Sequence, residues 1–433
     1  MKIELLNHAA VIISLDEGRV RLLCDPWLFG TCFRAGWGLK YENLAALDKT
    51  RACTHLWVSH FHSDHFHVPT LKKILSINPD IRVLGNRSYN FKMDDVMRKL
   101  GFANVLSFGE REPVALSEQV RATRFPTTGI DNMLFVETPD INILNYNDCN
   151  IPVQARQKIA EHIGSVDVML NNYNHAGKIL DYPLPESKEI KAQFGENFVC
   201  SMKSFDPKVV IPFASHHYYR CRESMCQNDS LLSIDEVAAL ADGVVALEVG
   251  QTITIEQNME HNVERTSEVQ ELDFDIREQQ CRYTAEALSI AAMAYTRRVN
   301  GRFAFMLLPL PELRIRVVDL NTTFTLTFRR GLQVIDQVEE FHISASSEAL
   351  YNWFAKPYGT DDFIVGGHFS LHDSVAFPMQ WQFLLGLLTE NRLDLLSILK
   401  MVVFPSGLRF LFNRREEISA VMRNLTFSVG PRK

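Results

Sequence analysis

The 433-residue sequence predicts an α/β protein in two units: two packed sheets flanked by helices over residues 1–255, then a smaller α+β unit over 281–433. Three observations lead there. Short apolar, strand-like runs alternate with helical patterns through the first 255 residues; acidic side chains crowd positions 256–280; strand and helix patterns then resume. The length itself exceeds what one ordinary hydrophobic core supports.

In order along the chain, Lys2–Leu5, Ala9–Ser14 and Val20–Cys24 read as strands, with Asp16-Glu17-Gly18 turning between the last two. Apolar runs follow at 54–59, 82–85, 119–125, 133–137, 141–145, 166–170, 208–213 and 243–248. Helical patterns fall at Pro69–Ile77 and Ser233–Leu240, the second opened by the capping-box pattern Ser233-Ile-Asp-Glu236. The acidic stretch 256–280 reads as a solvated linker. Beyond it, Tyr283–Arg298 is helical in pattern, Phe303–Leu308, Arg314–Val318 and Thr323–Arg329 are strand-like, and Trp381–Phe404 reads as buried helix.

Composition narrows the class. The chain is 46% hydrophobic and 22% charged, with a net charge of −7, which argues against a broad nucleic-acid-binding face. No uncharged apolar run of about 18 residues is present, so no spanning helix is expected. The N-terminus lacks a secretory pattern and the eight cysteines are scattered, so a cytoplasmic location with free thiols is expected. Cys53-Thr-His55 matches half of an iron–sulfur Rieske pattern, but the second Cys-x-x-His is missing.

The chemistry is concentrated in Thr54-His-Leu-Trp-Val-Ser-His60-Phe-His62-Ser-Asp64-His65, where a predicted strand runs into a His-x-His-x-Asp-His loop and a helix opens at Pro69. Two imidazoles two residues apart at a strand end can grip one metal ion, and the Asp-His pair a second one about 3.5–4 Å away. This ligand set suits two divalent ions of zinc, iron or manganese. His67 lies outside the pattern and reads as a packing residue.

These residues resemble the metallo-β-lactamase superfamily, whose fold is a four-layer αββα sandwich. Within it the resemblance is to the metal-binding domain of the CMP-N-acetylneuraminate hydroxylase family. More distantly it extends to the ascorbate-6-phosphate lactonase and N-acyl-phosphatidylethanolamine phospholipase D branch. It is carried by His8-Ala-Ala, Cys24-Asp25-Pro26-Trp27-Leu28-Phe29-Gly30, Arg34-Ala-Gly-Trp37, the histidine loop, Ile143-Leu-Asn-Tyr-Asn-Asp148-Cys149, Lys191-Ala-Gln-Phe194 and Ile211-Pro-Phe-Ala214. The resemblance implies that His60 and His62 hold one metal and Asp64 and His65 the other. It makes Asp148 the bridge and His216 or His217 the last ligand, with His8 and Asp25 orienting the ligands. A third histidine for the first metal is implied near position 127, where this sequence has Thr127; Asp131 or His175 is left to supply it. Arg34, Trp37, Tyr218 and Arg220 are candidates for an anionic substrate.

The site chemistry puts a hydrolase first: a metal-bound hydroxide acting on a phosphoester, lactone or amide of a sugar-like or lipid-like molecule, with Asp64 handling the proton. The alternative, favoured by the resemblance, is a di-iron oxygenase that hydroxylates a nucleotide sugar or related metabolite. With no room for a Rieske domain before His8, it would draw electrons from a separate ferredoxin or Rieske-type partner. A non-catalytic binder with a degraded site is the third reading, motivated by Thr127.

Overall fold

The computed structural model describes residues 1–86, 93–127, 131–277, 282–303, 312–335, 340–372, 386–387, 390 and 403–419. The first sheet has eight strands in the order His261–Arg265, Gln251–Ile255, Lys2–Asn7, Ala10–Leu15, Val20–Cys24, His55–Trp57, Arg82–Asn86 and Val105–Phe108. Its first half is antiparallel; from Val20–Cys24 onward the pairings are parallel. The second sheet has six strands: Pro113–Ala115, Arg121–Pro126, Asn132–Glu137, Ile143–Asn147, Val168–Asn172 and Val209–Phe213, of which the last three run parallel.

Side chains alternate across a strand, so each sheet buries two faces. Ile3, Leu5, Val11, Ile13, Leu22 and Leu84 of the first sheet share one core with Ala122, Leu134, Val136, Ile143, Leu170 and Ile211 of the second. The opposite face of the first sheet, through Ile12, Leu23, Leu56 and Val83, packs with Leu71 and Ile74 of the helix Val68–Ile77 and with Met93 and Met97 of Met93–Leu100. The outer face of the second sheet, with Phe125, Phe135, Leu144 and Met169, is covered by Ile159 of the helix Val153–Ile163 and Phe198 of Ser187–Phe205. The result is the four-layer αββα sandwich. The parallel strands of both sheets end on the same side, which is where open α/β sheets form ligand sites.

Two expectations are corrected. The stretch 256–280 is not a free linker: His261–Arg265 pairs with Gln251–Ile255, and Val269–Glu271 pairs with Tyr41–Asn43. It reads as linker because it lies at the sheet edge with its side chains largely in solvent, where charge costs nothing and discourages further pairing. The run 243–248 forms no strand, only the bridge Val210↔Val244.

The C-terminal unit has its own five-stranded sheet: Gly331–Ile335, Thr322–Thr327, Leu313–Val317, Ile343–Ala345 and Ser370–Leu371. Leu288 and Tyr295 of the helix Ala285–Phe303 and Leu350 and Trp353 of Ser347–Ala355 cover it. Phe303 ends that first helix rather than opening a strand; the rest of Phe303–Leu308, and nearly all of Trp381–Phe404, lie outside the described residues. No described helix is long and apolar enough to cross a membrane.

Candidate metal centre

Backbone conformation aims the site residues. His8, Asp25 and Ala214 directly follow strands and Asn147 ends one; all four have positive φ, at 21°, 44°, 56° and 58° in that order. Such conformations persist only where surrounding contacts hold them, and they cluster at functional sites. Here the contacts are visible: the Ala214 amide donates to the His8 carbonyl at 2.8 Å, and the Asp25 amide to the Trp57 carbonyl at 3.0 Å.

The histidine loop follows the strand His55–Trp57. His60 Nε2 and His62 Nδ1 face each other at 2.8 Å, and Asp131 Oδ1 lies 3.7 Å from the same His60 nitrogen. His65 Nε2 is 3.0 Å from Asp148 Oδ2 and 3.3 Å from Asp64 Oδ2, and His8 Nε2 is 3.2 Å from that same Asp64 oxygen. Three groups of converging ligand atoms result: His60, His62 and Asp131; His60, His65 and Asp148; His8, Asp64 and His65.

The far sides of His60, His65 and Asp148 are held by other side chains. Asp25 Oδ1 accepts from the Ser59 amide at 2.7 Å and the Ser59 hydroxyl at 2.9 Å, while its Oδ2 accepts from Asn147 Nδ2 at 2.6 Å and faces His65 Nδ1 at 3.5 Å. Ser59 Oγ also bonds His60 Nδ1 at 2.8 Å, which leaves Nε2 of His60 facing the cluster. Asn172 Nδ2 donates to Asp148 Oδ1 at 2.9 Å. Such outer partners fix tautomer and ring orientation in metal sites.

The electrostatics fit a cation. Burial, then the neighbouring His65 and His62, pushes His60 well below the ordinary histidine pKa. Burial works against charge on His65 too, but Asp64, Asp148 and Asp25 outweigh it and hold it well above. Burial lifts Asp131 to about 6 against the pull of His62. Asp25, Asp64, Asp131 and Asp148 thus surround the imidazoles of His8, His60, His62 and His65, and Asp64 Oδ1 has no hydrogen-bond partner among the described residues. A buried excess of carboxylate is costly unless neutralised, and divalent ions supply that charge.

The remaining expected residues are placed otherwise. His216 and His217 join none of the three groups: His217 stacks on Trp37 at 3.9 Å between ring centroids, and His216 sits against Tyr41 and Tyr173. His175 bonds the Tyr219 hydroxyl at 2.7 Å, and the Thr127 amide donates to the Asp131 carbonyl at 2.9 Å. Arg34 pairs with Asp362 at 2.8 Å; Tyr218 and Arg220 both engage Asp275. Arg34, Tyr218 and Arg220 are occupied by the fold, whereas Nε2 of His216 and both ring nitrogens of His217 are buried without a hydrogen-bond partner among the described residues. The sequence reading missed Ser59 and Asn172, and it missed Asp361, which approaches His62 from the C-terminal unit.

A cavity of about 510 Å³ opens beside Asp148. It runs between the segment Asn171–Ile179 and the helix Ser187–Phe205, with Asn150, Arg156, Asn174, Lys178, Gln193 and Asn197 among its lining.

Residues 2–214 match the beta-lactamase superfamily domain, and this part of the chain belongs to the metallo-β-lactamase superfamily. Among its members, the cytidine monophosphate-N-acetylneuraminic acid hydroxylase of Gorilla gorilla gorilla is 29% identical over 234 residues, covering 50% of this chain and 38% of that one. The Danio rerio hydroxylase is 30% identical over 235 residues, covering 49% and 37%. The chain therefore spans less than half the length of these curated relatives. Among solved structures, CmlA, a diiron beta-hydroxylase from Streptomyces venezuelae, is 17% identical with a TM-score of 0.41, covering 61% of this chain and 54% of that one.

Proposed function

We propose that the chain is a di-iron oxygenase that hydroxylates an anionic, hydroxyl-rich small molecule of the nucleotide-sugar kind, with electrons from a separate redox protein. The observation that carries this reading is the group His60, His62 and Asp131. Two histidines and one carboxylate are the ligand set of non-haem iron oxygenases, although some hydrolytic zinc sites share it. The names of the hydroxylase relatives point the same way.

In this reading His60, His62 and Asp131 hold one metal, Asp64 and His65 the other, and Asp148 lies between them. Bound iron would activate dioxygen, one atom entering the substrate C–H bond while two electrons from the redox protein and two protons reduce the other to water. The chain's own groups do the rest. Asp25, Ser59 and Asn172 keep the ligand atoms aimed; Asn150, Asn174, Gln193 and Asn197 offer amides to substrate hydroxyls. Arg156, whose guanidinium donates to the Cys200 sulfur at 3.1 Å, lines the same cavity and is the cation that would take a phosphate or carboxylate; Lys178, donating to the Glu223 carbonyl at 2.8 Å, has its pKa lowered to about 8 by burial. Asp64, the earlier candidate for the catalytic proton, is enclosed by His8 and His65 and suits ligation instead.

The test is metal analysis of protein purified without a chelating tag, followed by oxygen uptake with CMP-N-acetylneuraminate and a ferredoxin reducing system. Near two irons per chain with substrate-dependent uptake supports the oxygenase. Tightly held zinc with phosphodiester or lactone cleavage returns the hydrolase, and well under one metal after reconstitution leaves a non-catalytic binder.

A further inference from the structure

We propose that the C-terminal unit is the positioning half of the metal centre: Asp361 orients His62, and Arg414 holds Thr127, which pairs with Asp131. This rests on the reading above that His60, His62 and Asp131 hold a metal.

The first contact is direct. Each of the three clustered imidazoles has one nitrogen facing the cluster and one facing outward. The outward nitrogens of His60 and His65 meet Ser59 and Asp25, from the same sandwich. That of His62 meets Asp361 Oδ1 at 3.3 Å. Asp361 stands in the first turn of the helix Gly359–Val365, whose leading amides at Thr360 and Asp361 donate to Glu390 at 2.8 and 3.3 Å.

That helix is seated firmly on the first unit. Asp362 pairs with Arg34, Trp37 Nε1 donates to the Val365 carbonyl at 3.0 Å, and His368 Nε2 donates to the Phe33 carbonyl at 2.7 Å. Gly36 and Gly366 let the two backbones touch: a Cβ on Gly36 would lie 2.5 Å from the Gly366 oxygen. The carboxylate is therefore delivered by a rigid support, not by a loose surface side chain.

The second contact works through the backbone. Arg414 is 2% exposed, stacked 3.8 Å over the Phe410 ring and forked onto Glu110 with both contacts at 3.1 Å. Its Nε donates to the Thr127 carbonyl at 2.8 Å. Thr127 in turn closes onto Asp131 through its amide at 2.9 Å and its hydroxyl at 3.2 Å. Two of the three ligands of the first metal thus take their placement from residues outside 2–214, the span that matches the superfamily domain. Asp361 and Arg414 are positioning residues, since neither faces the ligand atoms of the cluster.

The experiment measures affinity at both metal positions of the full-length protein, using iron and cobalt titrations against graded chelator. Asp361→Ala should weaken one of the two positions about 10–100-fold and leave the other unchanged, with Asp361→Glu recovering part of the loss. Arg414→Gln should act on the same position; should it fail to fold, the Asp361 pair still decides. Asp361→Ala binding both metals within about 2-fold of the parent overturns the inference while leaving the metal reading intact. An equal loss at both positions also overturns it, since general loosening of the fold would give that result. A parent protein that binds no metal sinks the underlying reading instead.

Discussion

Replacing Asp25 by asparagine changes one atom and one charge, yet it should cost about 3 kcal/mol of stability. Asp25 is fully buried, and its two oxygens accept three hydrogen bonds: the Ser59 amide at 2.7 Å, the Ser59 hydroxyl at 2.9 Å and Asn147 Nδ2 at 2.6 Å. All three partners are donors in the native arrangement. An asparagine keeps one acceptor oxygen; its NH₂ must then face either Ser59 or the Asn147 amide, donor against donor. Losing a bond to a charged acceptor costs about 1.5–3 kcal/mol, and stranding a buried donor about 1–3 kcal/mol more. Backbone strain does not confuse the comparison, because asparagine tolerates positive φ as aspartate does. The assay is the urea-unfolding midpoint of the metal-free full chain, read with the slope to confirm that the same surface is exposed. A shift worth less than about 0.5 kcal/mol would refute the view that this carboxylate organises the histidine loop.

Acidification should weaken the fold through His368, whose burial depresses its pKa to about 4. The unfolded side chain titrates near 6.5, so its contribution is complete above that pH and is lost as pH falls from 6.5 through 4, by about 3 kcal/mol at most. In unfolding measurements from pH 7.5 to 4.5, His368→Gln should lose less stability than the parent; an identical loss counts against the argument. Gly36→Ala puts a methyl group 2.5 Å from the Gly366 oxygen and should cost about 1–3 kcal/mol by prising the units apart. Faster hydrogen exchange at Val365–His368 is the expected signature, and unchanged protection would mean that the contact relaxes freely.

The sandwich was legible because two periodicities repeat without conflict. Alternating apolar residues mark most of the strands of both sheets, and Ser233-Ile-Asp-Glu236 forms the reciprocal capping bonds its pattern implies. The histidine loop was legible because its ligands lie within six residues of one another. Legibility failed where partners are far apart in the chain. Gly359-Thr-Asp-Asp362 looks like an ordinary solvated helix start, and nothing local says that Asp361 meets a histidine some three hundred positions earlier. Arg34, Tyr218 and Arg220 failed for the same reason: isolated cations and aromatics look available for substrate until Asp362 and Asp275 are seen to occupy them. The acidic stretch 256–280 misled in the opposite direction, since an edge strand and a linker both favour charge.

In the proposed centre a carboxylate stands where a three-histidine zinc site has an imidazole, and the exchange can be reversed by mutation. The superfamily resemblance reserves position 127 for a histidine; Thr127 stands there, and Asp131 enters the group with His60 and His62. Asp131→Ala should weaken the first metal, because a pair of imidazoles alone leaves it under-coordinated. Thr127→His by itself should change little, since Asp131 still fills the seat and Arg414 still holds the Thr127 carbonyl. Combining the two substitutions replaces the carboxylate with a third imidazole, a set that suits zinc. The double variant should regain metal but shift its preference from iron toward zinc, read as the metal ratio after equilibration with both ions. Were Asp131→Ala to retain the first metal with parental affinity and iron preference, Asp131 would be no ligand, and the case for an oxygenase would lose its main support.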